Sequence, residues 1–155
     1  MKGIAADMEI SAAKSEDLLE ILTLLEECEL PTEGLASQLS TTLVARKGKE
    51  IVGCSALELY QELALLRSVA VKPSFRKQGL ALRLTRAALD LAKQHKVTDV
   101  YLLTETASTF FSKMGFVNIQ RSDSPEKIQR SAEFTTLCPD TAKVMMLSLN
   151  ILDFS

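Results

Sequence analysis

The chain has 155 residues, a length that fits one domain with a sizeable core. Hydrophobic residues make up 46%, which favours folding over disorder, and a net charge of -2 gives no bulk attraction for nucleic acid. No apolar run approaches the ~20 residues needed to cross a bilayer. The stretch 4–8 is broken by Asp7 and is no signal-peptide core, so a cytoplasmic location is the default expectation.

Residues 8–11 alternate apolar and polar and read as a first strand. Ser15 is placed to cap the next helix, with Glu16 and Asp17 in its first turn complementing the dipole. Leu18, Ile21, Leu22 and Leu25 are its expected buried stripe, while Glu20, Glu26 and Glu27 face water. Leu30 and Pro31 end it, and residues 32–36 read as a loop with a short second helix. Glu33 in that loop is either a solvated helix-start residue or a carboxylate facing a cationic substrate.

Residues 42–46 and 51–59 read as two strands of a hairpin, joined by Lys47-Gly48-Lys49-Glu50. Gly53 inside the second strand marks a bulge or a close backbone approach. Alternation sets Cys54, Ala56, Glu58 and Tyr60 on one face. A short turn, 61–63, leads into strand 65–71, which is apolar apart from Arg67 and Ser68. Burying a guanidinium without a partner is costly. Arg67 therefore either pairs with an internal carboxylate, Glu58 or Glu105, or clamps an anionic acceptor; the clamp is the role carried forward.

Pro73 stops this strand, and 74–78 is a polar turn. Gly79 opens a long helix whose expected stripe is Leu80, Leu84, Ala87, Ala88 and Leu91. The junction RKQGLA, residues 76–81, has anion-binding chemistry. Helix-start N–H groups lack intrahelical acceptors, the dipole is positive there, Gly79 and Ala81 let a ligand approach, and Arg76 and Lys77 add charge. An ordinary strand–turn–helix fits the same six residues.

Lys93, His95 and Lys96 suit the negative end of this helix, too far from Gly79 for a catalytic His95. Residues 99–104 form the next strand, parallel to 65–71 through a right-handed crossover. Thr106 or Ser108 is the expected cap of a short helix through Lys113, closed by Gly115. Strand 116–119, loop 121–125 and a short helix 126–130 after Pro125 follow. Residues 132–137 are helical or irregular, and 143–149 is a last strand. Cys28, Cys54 and Cys138 are odd in number and widely spaced without a C-x-x-C, so neither a disulfide framework nor a metal site is expected.

Two blocks resemble a known family. R-x-x-G-x-A after LRSVAV is similar to the acetyl-coenzyme A signature of the GCN5-related N-acetyltransferases (GNAT). YLLTETASTFFSKMGF, residues 101–116, resembles that family's last core strand, following helix and terminal G-F. LPTEGL (30–35), ALLRSVAV (64–71), YLLTETA (101–107) and AEFTTLCP (132–139) resemble a narrower branch, the arsenic-resistance-associated N-acetyltransferases.

The resemblance implies one α+β (mixed α/β) GNAT domain over residues 1–155. Its sheet would be central, mixed and mostly antiparallel, with splayed parallel strands and flanking helices. It implies acetyl-CoA as acetyl donor, held at Arg76, Lys77, Gln78, Gly79, Leu80 and Ala81, with its pantetheine arm on the backbone of Val69, Ala70 and Val71. The Val69 N–H is the implied oxyanion donor. The family's tyrosine, which protonates the departing thiolate, falls at Phe111, which cannot donate a proton; the thiolate would leave unassisted, take a proton from water or use another residue such as Tyr60 or Ser108. Glu58 and Glu105 are the expected bases, each also readable as an exposed strand-end carboxylate, and Arg67, Glu33 and Tyr60 the expected substrate contacts.

The acceptor would be a small-molecule amine, an amino acid or amino-acid-like toxicant, with no metal, nucleic acid or membrane and with a homodimer as the expected assembly. The competing readings are a protein lysine or N-terminal acetyltransferase, and a non-catalytic coenzyme A-binding module. In the arsenic-resistance branch the cysteines also become conceivable ligands of trivalent arsenic, against the plainer reading of reduced thiols.

Overall fold

The computed structural model describes residues 8–131, 134 and 141–149. Seven strands and four α-helices follow in chain order among these residues: β1 (Glu9–Ala12), α1 (Leu18–Glu27), β2 (Thr42–Lys47), β3 (Glu50–Tyr60), β4 (Leu63–Val71), α2 (Leu80–Gln94), β5 (Asp99–Thr104), α3 (Ser108–Lys113), β6 (Val117–Ile119), α4 (Glu126–Gln129) and β7 (Lys143–Ser148). The strands form one mixed sheet in the order β1-β2-β3-β4-β5-β7-β6. The readings of 132–137, apart from Phe134, and of Cys138 fall outside the described residues.

Two compact units divide the chain: Met1–Leu57 with Ser68–Leu91, and Glu58–Arg67 with Ala92–Ser155. In the first unit, neighbouring residues of a strand serve opposite faces of the sheet. Val44, Ile51, Cys54 and Ala56 pack with Ile21, Leu24 and Leu25 of α1. Ala45 and Val52 pack with Leu80 and Leu84 of α2. A strand side-chain period of two produces this division, and each fully buried leucine or isoleucine contributes about 1.5–3 kcal/mol.

The hairpin between β2 and β3 turns at Gly48, with φ +62°, as expected. Gly53 serves both purposes read from the sequence. The register jumps from Ala45↔Gly53 to Arg46↔Ile51, leaving Val52 as the extra residue of a bulge. A Cβ on Gly53 would also stand 2.8 Å from Leu84 Cδ1 and 3.1 Å from the Ala70 carbonyl oxygen.

Several local expectations are corrected. Ser15 does not cap α1: residues Ser15–Asp17 form a 3-10 turn, and Asp17 Oδ2 accepts the Lys14 backbone N–H at 2.8 Å and Arg46 Nη2 at 2.5 Å. Burial alone would raise the Asp17 carboxyl, but these hydrogen bonds and the two cations outweigh it and hold it below its ordinary value. The buried stripe of α1 is Ile21, Leu24 and Leu25, with Leu18 and Leu22 only half-buried. That of α2 is Leu80, Leu84, Ala88, Leu89 and Ala92, so the apolar face lies to one side of Ala87 and Leu91. Neither Thr106 nor Ser108 caps α3; the Thr104 hydroxyl accepts the Ala107 N–H at 2.9 Å instead.

The second unit carries the parallel pairing expected of β4 and β5. Leu63, Ala64 and Leu65 pair with Asp99, Val100 and Tyr101. Among the described residues this ladder ends there, while β5 continues to Thr104 against antiparallel β7. Leu65, Tyr101 and Val144 share a core with Ile128 of α4 and Phe134.

Candidate active site

The first unit holds the cradle anticipated at 76–81. After β4 a 3-10 turn, Pro73–Phe75, carries the chain outward. Lys77 and Gly79 then take positive φ, +66° and +82°, before α2 begins at Leu80. The first helical bond runs from the Arg83 N–H to the Gly79 carbonyl at 3.1 Å. The N–H groups of Leu80, Ala81 and Leu82 therefore precede the intrahelical ladder.

Gly79 is exposed, and a Cβ there would meet nothing within 4 Å. Gln78 Oε1 beside it is buried with no hydrogen-bond partner among the described residues. An open, glycine-lined, partly positive helix start fits a phosphate-bearing ligand through its backbone donors, while Gln78 Oε1, an acceptor, offers phosphate no bond. Arg76 and Lys77 are exposed at the same turn. Arg76 also reaches back: its Nε donates to the Val71 carbonyl at 2.9 Å, and its Nη2 lies 3.5 Å from Cys28 Sγ. The Cys28 contact joins residues 48 apart in sequence, and nothing local in either segment announces it.

The strand leading to the cradle bends. Ser68 has φ +60°, an unusual value for a non-glycine residue within a strand. Its carbonyl accepts the Cys54 thiol at 3.2 Å. Cys54 is fully buried, and burial first, then the neighbouring Cys28, pushes its thiol up to about 12. Val69 beyond the bend is half-buried, and Ala70 and Val71 are buried. Their side chains pack while their backbone stays directional. The Val71 carbonyl is already taken by Arg76 and, at 3.6 Å, by Cys28.

The second unit holds Glu58, Tyr60 and Arg67 in one array. The Arg67 side chain is fully buried, and its Nη1 donates to Glu58 Oε2 at 2.7 Å. The half-buried Tyr60 gives its hydroxyl proton to Glu58 Oε1 at 2.5 Å. Of the two roles read for Arg67, the internal pair with Glu58 is the one observed. Alternation along β3 had already set Glu58 and Tyr60 on one face, two residues apart.

Glu105 lies exposed in the bend after β5, and Glu33 exposed in the turn before the 3-10 helix Leu35–Thr41. Phe111 is 7% exposed, with edge-to-face contacts to Phe110 at 5.0 Å and Phe116 at 5.7 Å. It is a core ring, and Ser108 is the first residue of its helix. His95 is exposed after the last residue of α2. Among the described residues, no group of three or more His, Cys, Asp or Glu is placed to hold a metal, and no helix is long and apolar enough to cross a membrane.

The Acetyltransferase (GNAT) domain model matches residues 38–118, more than half of the chain. The chain belongs to the GNAT acetyltransferases. It is an N-acetyltransferase that uses acetyl-CoA, as its family does. It is 32% identical over 108 residues to an uncharacterized N-acetyltransferase of Chlorobaculum tepidum, covering 69% of this chain and 67% of that one. It is 27% identical over 150 residues to the amino-acid acetyltransferase of Haemophilus ducreyi, covering 91% of this chain but 33% of that protein. The chain thus spans about a third of the amino-acid acetyltransferases it matches. Its fold is similar to that of N-acetylglutamate synthase from Neisseria gonorrhoeae in complex with coenzyme A and N-acetyl-glutamate, with TM-score 0.79 and 20% identity over 92% of this chain and 35% of that one. Rv2747 from Mycobacterium tuberculosis, also in complex with coenzyme A, matches with TM-score 0.76 and 24% identity over 91% of this chain and 99% of that one.

Proposed function

We propose that this GNAT enzyme moves the acetyl group of acetyl-CoA to the amine of a small molecule, an amino acid in the first place. The observation that carries the donor half is the turn at residues 76–81. Its open Gly79, exposed cations and helix-start N–H groups suit a pyrophosphate. Likeness to amino-acid acetyltransferases over most of this chain supports the acceptor half. The four segments similar to the arsenic-resistance branch support an amino-acid-like toxicant within the same chemical class.

In this reading the two compact units act as one catalytic domain. Arg76, Lys77, Gln78, Gly79, Leu80 and Ala81 hold the pyrophosphate, and the backbone of Val69 and Ala70, with the N–H of Val71, aligns the pantetheine arm. The Val69 N–H, just past the bend at Ser68, serves the oxyanion. An amine is protonated at neutral pH and must lose a proton before it attacks a thioester. Glu105, exposed at the end of β5, is the candidate to take it, since both oxygens of Glu58 are already engaged. With a core phenylalanine at position 111, the leaving thiolate takes its proton from water.

Coenzyme A release measured with free amino acids, with simple amines and with lysine-bearing or free-N-terminus peptides tests this. Turnover on amino acids supports the reading. Turnover confined to peptides makes the chain a protein acetyltransferase, and tight coenzyme A binding with no turnover makes it a binding module.

A further inference from the structure

Arg76 brings a cation to the cofactor turn, yet its guanidinium is drawn back toward the strand that precedes it. Nε donates to the Val71 carbonyl at 2.9 Å, and Nη2 donates to Cys28 Sγ at 3.5 Å. Cys28, the C-terminal cap of α1, gives its own thiol proton to the same carbonyl at 3.6 Å. The sulfur accepts on one side and donates on the other, so the three groups close a triangle. Val71, Arg76 and Cys28 all belong to the first compact unit.

The triangle spans the joint between two halves of the proposed cofactor site. Val71 ends β4, whose backbone is assigned to the pantetheine arm, and the N–H groups from Leu80 onward are assigned to the pyrophosphate. Backbone bonds inside the intervening turn, Phe75 N–H to Lys72 and Arg76 N–H to Pro73, stop short of Val71. The Arg76 side chain reaches it, five residues back.

Resting on that acetyl-CoA site, we infer that Arg76 is a positioning residue. It fixes the span between the pantetheine strand and the pyrophosphate turn, and serves the pyrophosphate through that backbone rather than as a charge laid against it. A ligand that bridges both halves then meets them already at the right separation. A ligand confined to the turn gains little. The helix-start N–H groups are held by α2 itself, whose first bond runs from the Arg83 N–H to the Gly79 carbonyl at 3.1 Å.

Calorimetry on the full chain with coenzyme A, and with competing ADP, which carries the pyrophosphate but no pantetheine, tests this. A glutamine amide nitrogen stands as many bonds from the backbone as the arginine Nε. Arg76→Gln therefore loses the charge and keeps a donor for Val71, whereas Arg76→Met keeps the reach and loses both. Arg76→Met should weaken coenzyme A roughly tenfold, the size of one hydrogen bond from a charged donor, and ADP less than about twofold. Arg76→Gln should stay within about threefold of wild type for coenzyme A.

Equal losses of coenzyme A affinity in the two variants would make the charge the operative property. Equal losses for coenzyme A and ADP in Arg76→Met would put Arg76 on the phosphates or in the general integrity of the turn. Either result overturns the brace while leaving the cofactor site standing. Arg76 is exposed, so neither variant disturbs the core. Should ADP fail to compete with coenzyme A in the wild-type chain, the cofactor site at this turn fails first, and the brace with it.

Discussion

At the scale of single residues, the cradle depends on a backbone conformation that a side chain opposes. Gly79 sits at φ +82° with open space where a Cβ would go. Alanine there costs roughly 1–2 kcal/mol in a left-handed conformation, and its methyl projects into the volume assigned to the pyrophosphate. Gly79→Ala should therefore weaken coenzyme A binding by about tenfold in calorimetry, the equivalent of ~1.4 kcal/mol. Unchanged affinity would place the phosphates elsewhere. Lys77, at φ +66°, bears the same backbone strain with a side chain attached, as residues at functional turns often do. The glycine was legible because its chemistry is written in its residue type. The strain at Lys77 and Ser68 was not, since neither residue type signals a left-handed backbone. The cost of burying Arg67 was also legible, but not its partner: Glu58 and Glu105 both lie near strand ends, and the residue types alone do not separate them.

At the scale of elements, three helices end alike. The Leu30 N–H bonds back to the Leu25 carbonyl, Val97 to Ala92 and Phe116 to Phe111, each across a left-handed residue: Glu29, Lys96 and Gly115. This is the six-to-one closure of a Schellman motif, which favours glycine at the left-handed position. Sequence reading placed all three ends near where they fall but named the closing residue only at Gly115; at the other two a glutamate and a lysine carry the left-handed conformation. Lys96→Gly should remove that strain and raise stability by about 0.5–1 kcal/mol after the extra unfolded-state entropy of glycine, while Lys96→Ala should not. Chemical denaturation of both variants checks this, and equal midpoints would mean that the turn carries no usable strain. The helix stripes were misread for a related reason. In both α1 and α2 the apolar residues cover more than one face, and the packing partners choose between them. Leu24 meets the sheet where Leu22 only borders it, and Ala92 is buried where Leu91 is half out.

At the scale of the whole chain, strand count, hairpin and parallel pairing followed from period and punctuation, because a buried face repeats and a turn needs particular residues; the antiparallel direction of the last strand came only from the family resemblance. The division into two compact units did not follow, since no linker, glycine-rich stretch or charge run marks it. Its boundaries cut through elements instead. Residues 50–57 of β3 belong to one unit and 58–60 to the other; β4 divides after Arg67, and α2 after Leu91. Unfolding either unit by itself would break two strands and a helix in mid-run, stranding backbone donors and acceptors that those elements satisfy. The two units should accordingly unfold together. Scanning calorimetry should give one transition whose calorimetric and van't Hoff enthalpies agree, near 110 kcal/mol at about 60 °C by the usual ~0.7 kcal/mol per residue. Each unit holds about half of the chain, so independent unfolding would instead give a van't Hoff enthalpy near half that value. Saturating coenzyme A separates the cases further. Ligand held at the 76–81 turn stabilises only the species that binds it, by RT ln(1 + [L]/Kd). In a cooperative chain the single transition moves as a whole, by the same increment whether followed in the first unit or through Tyr101 in the second. A shift confined to one probe would separate the units energetically and restrict the cofactor's reach to the first.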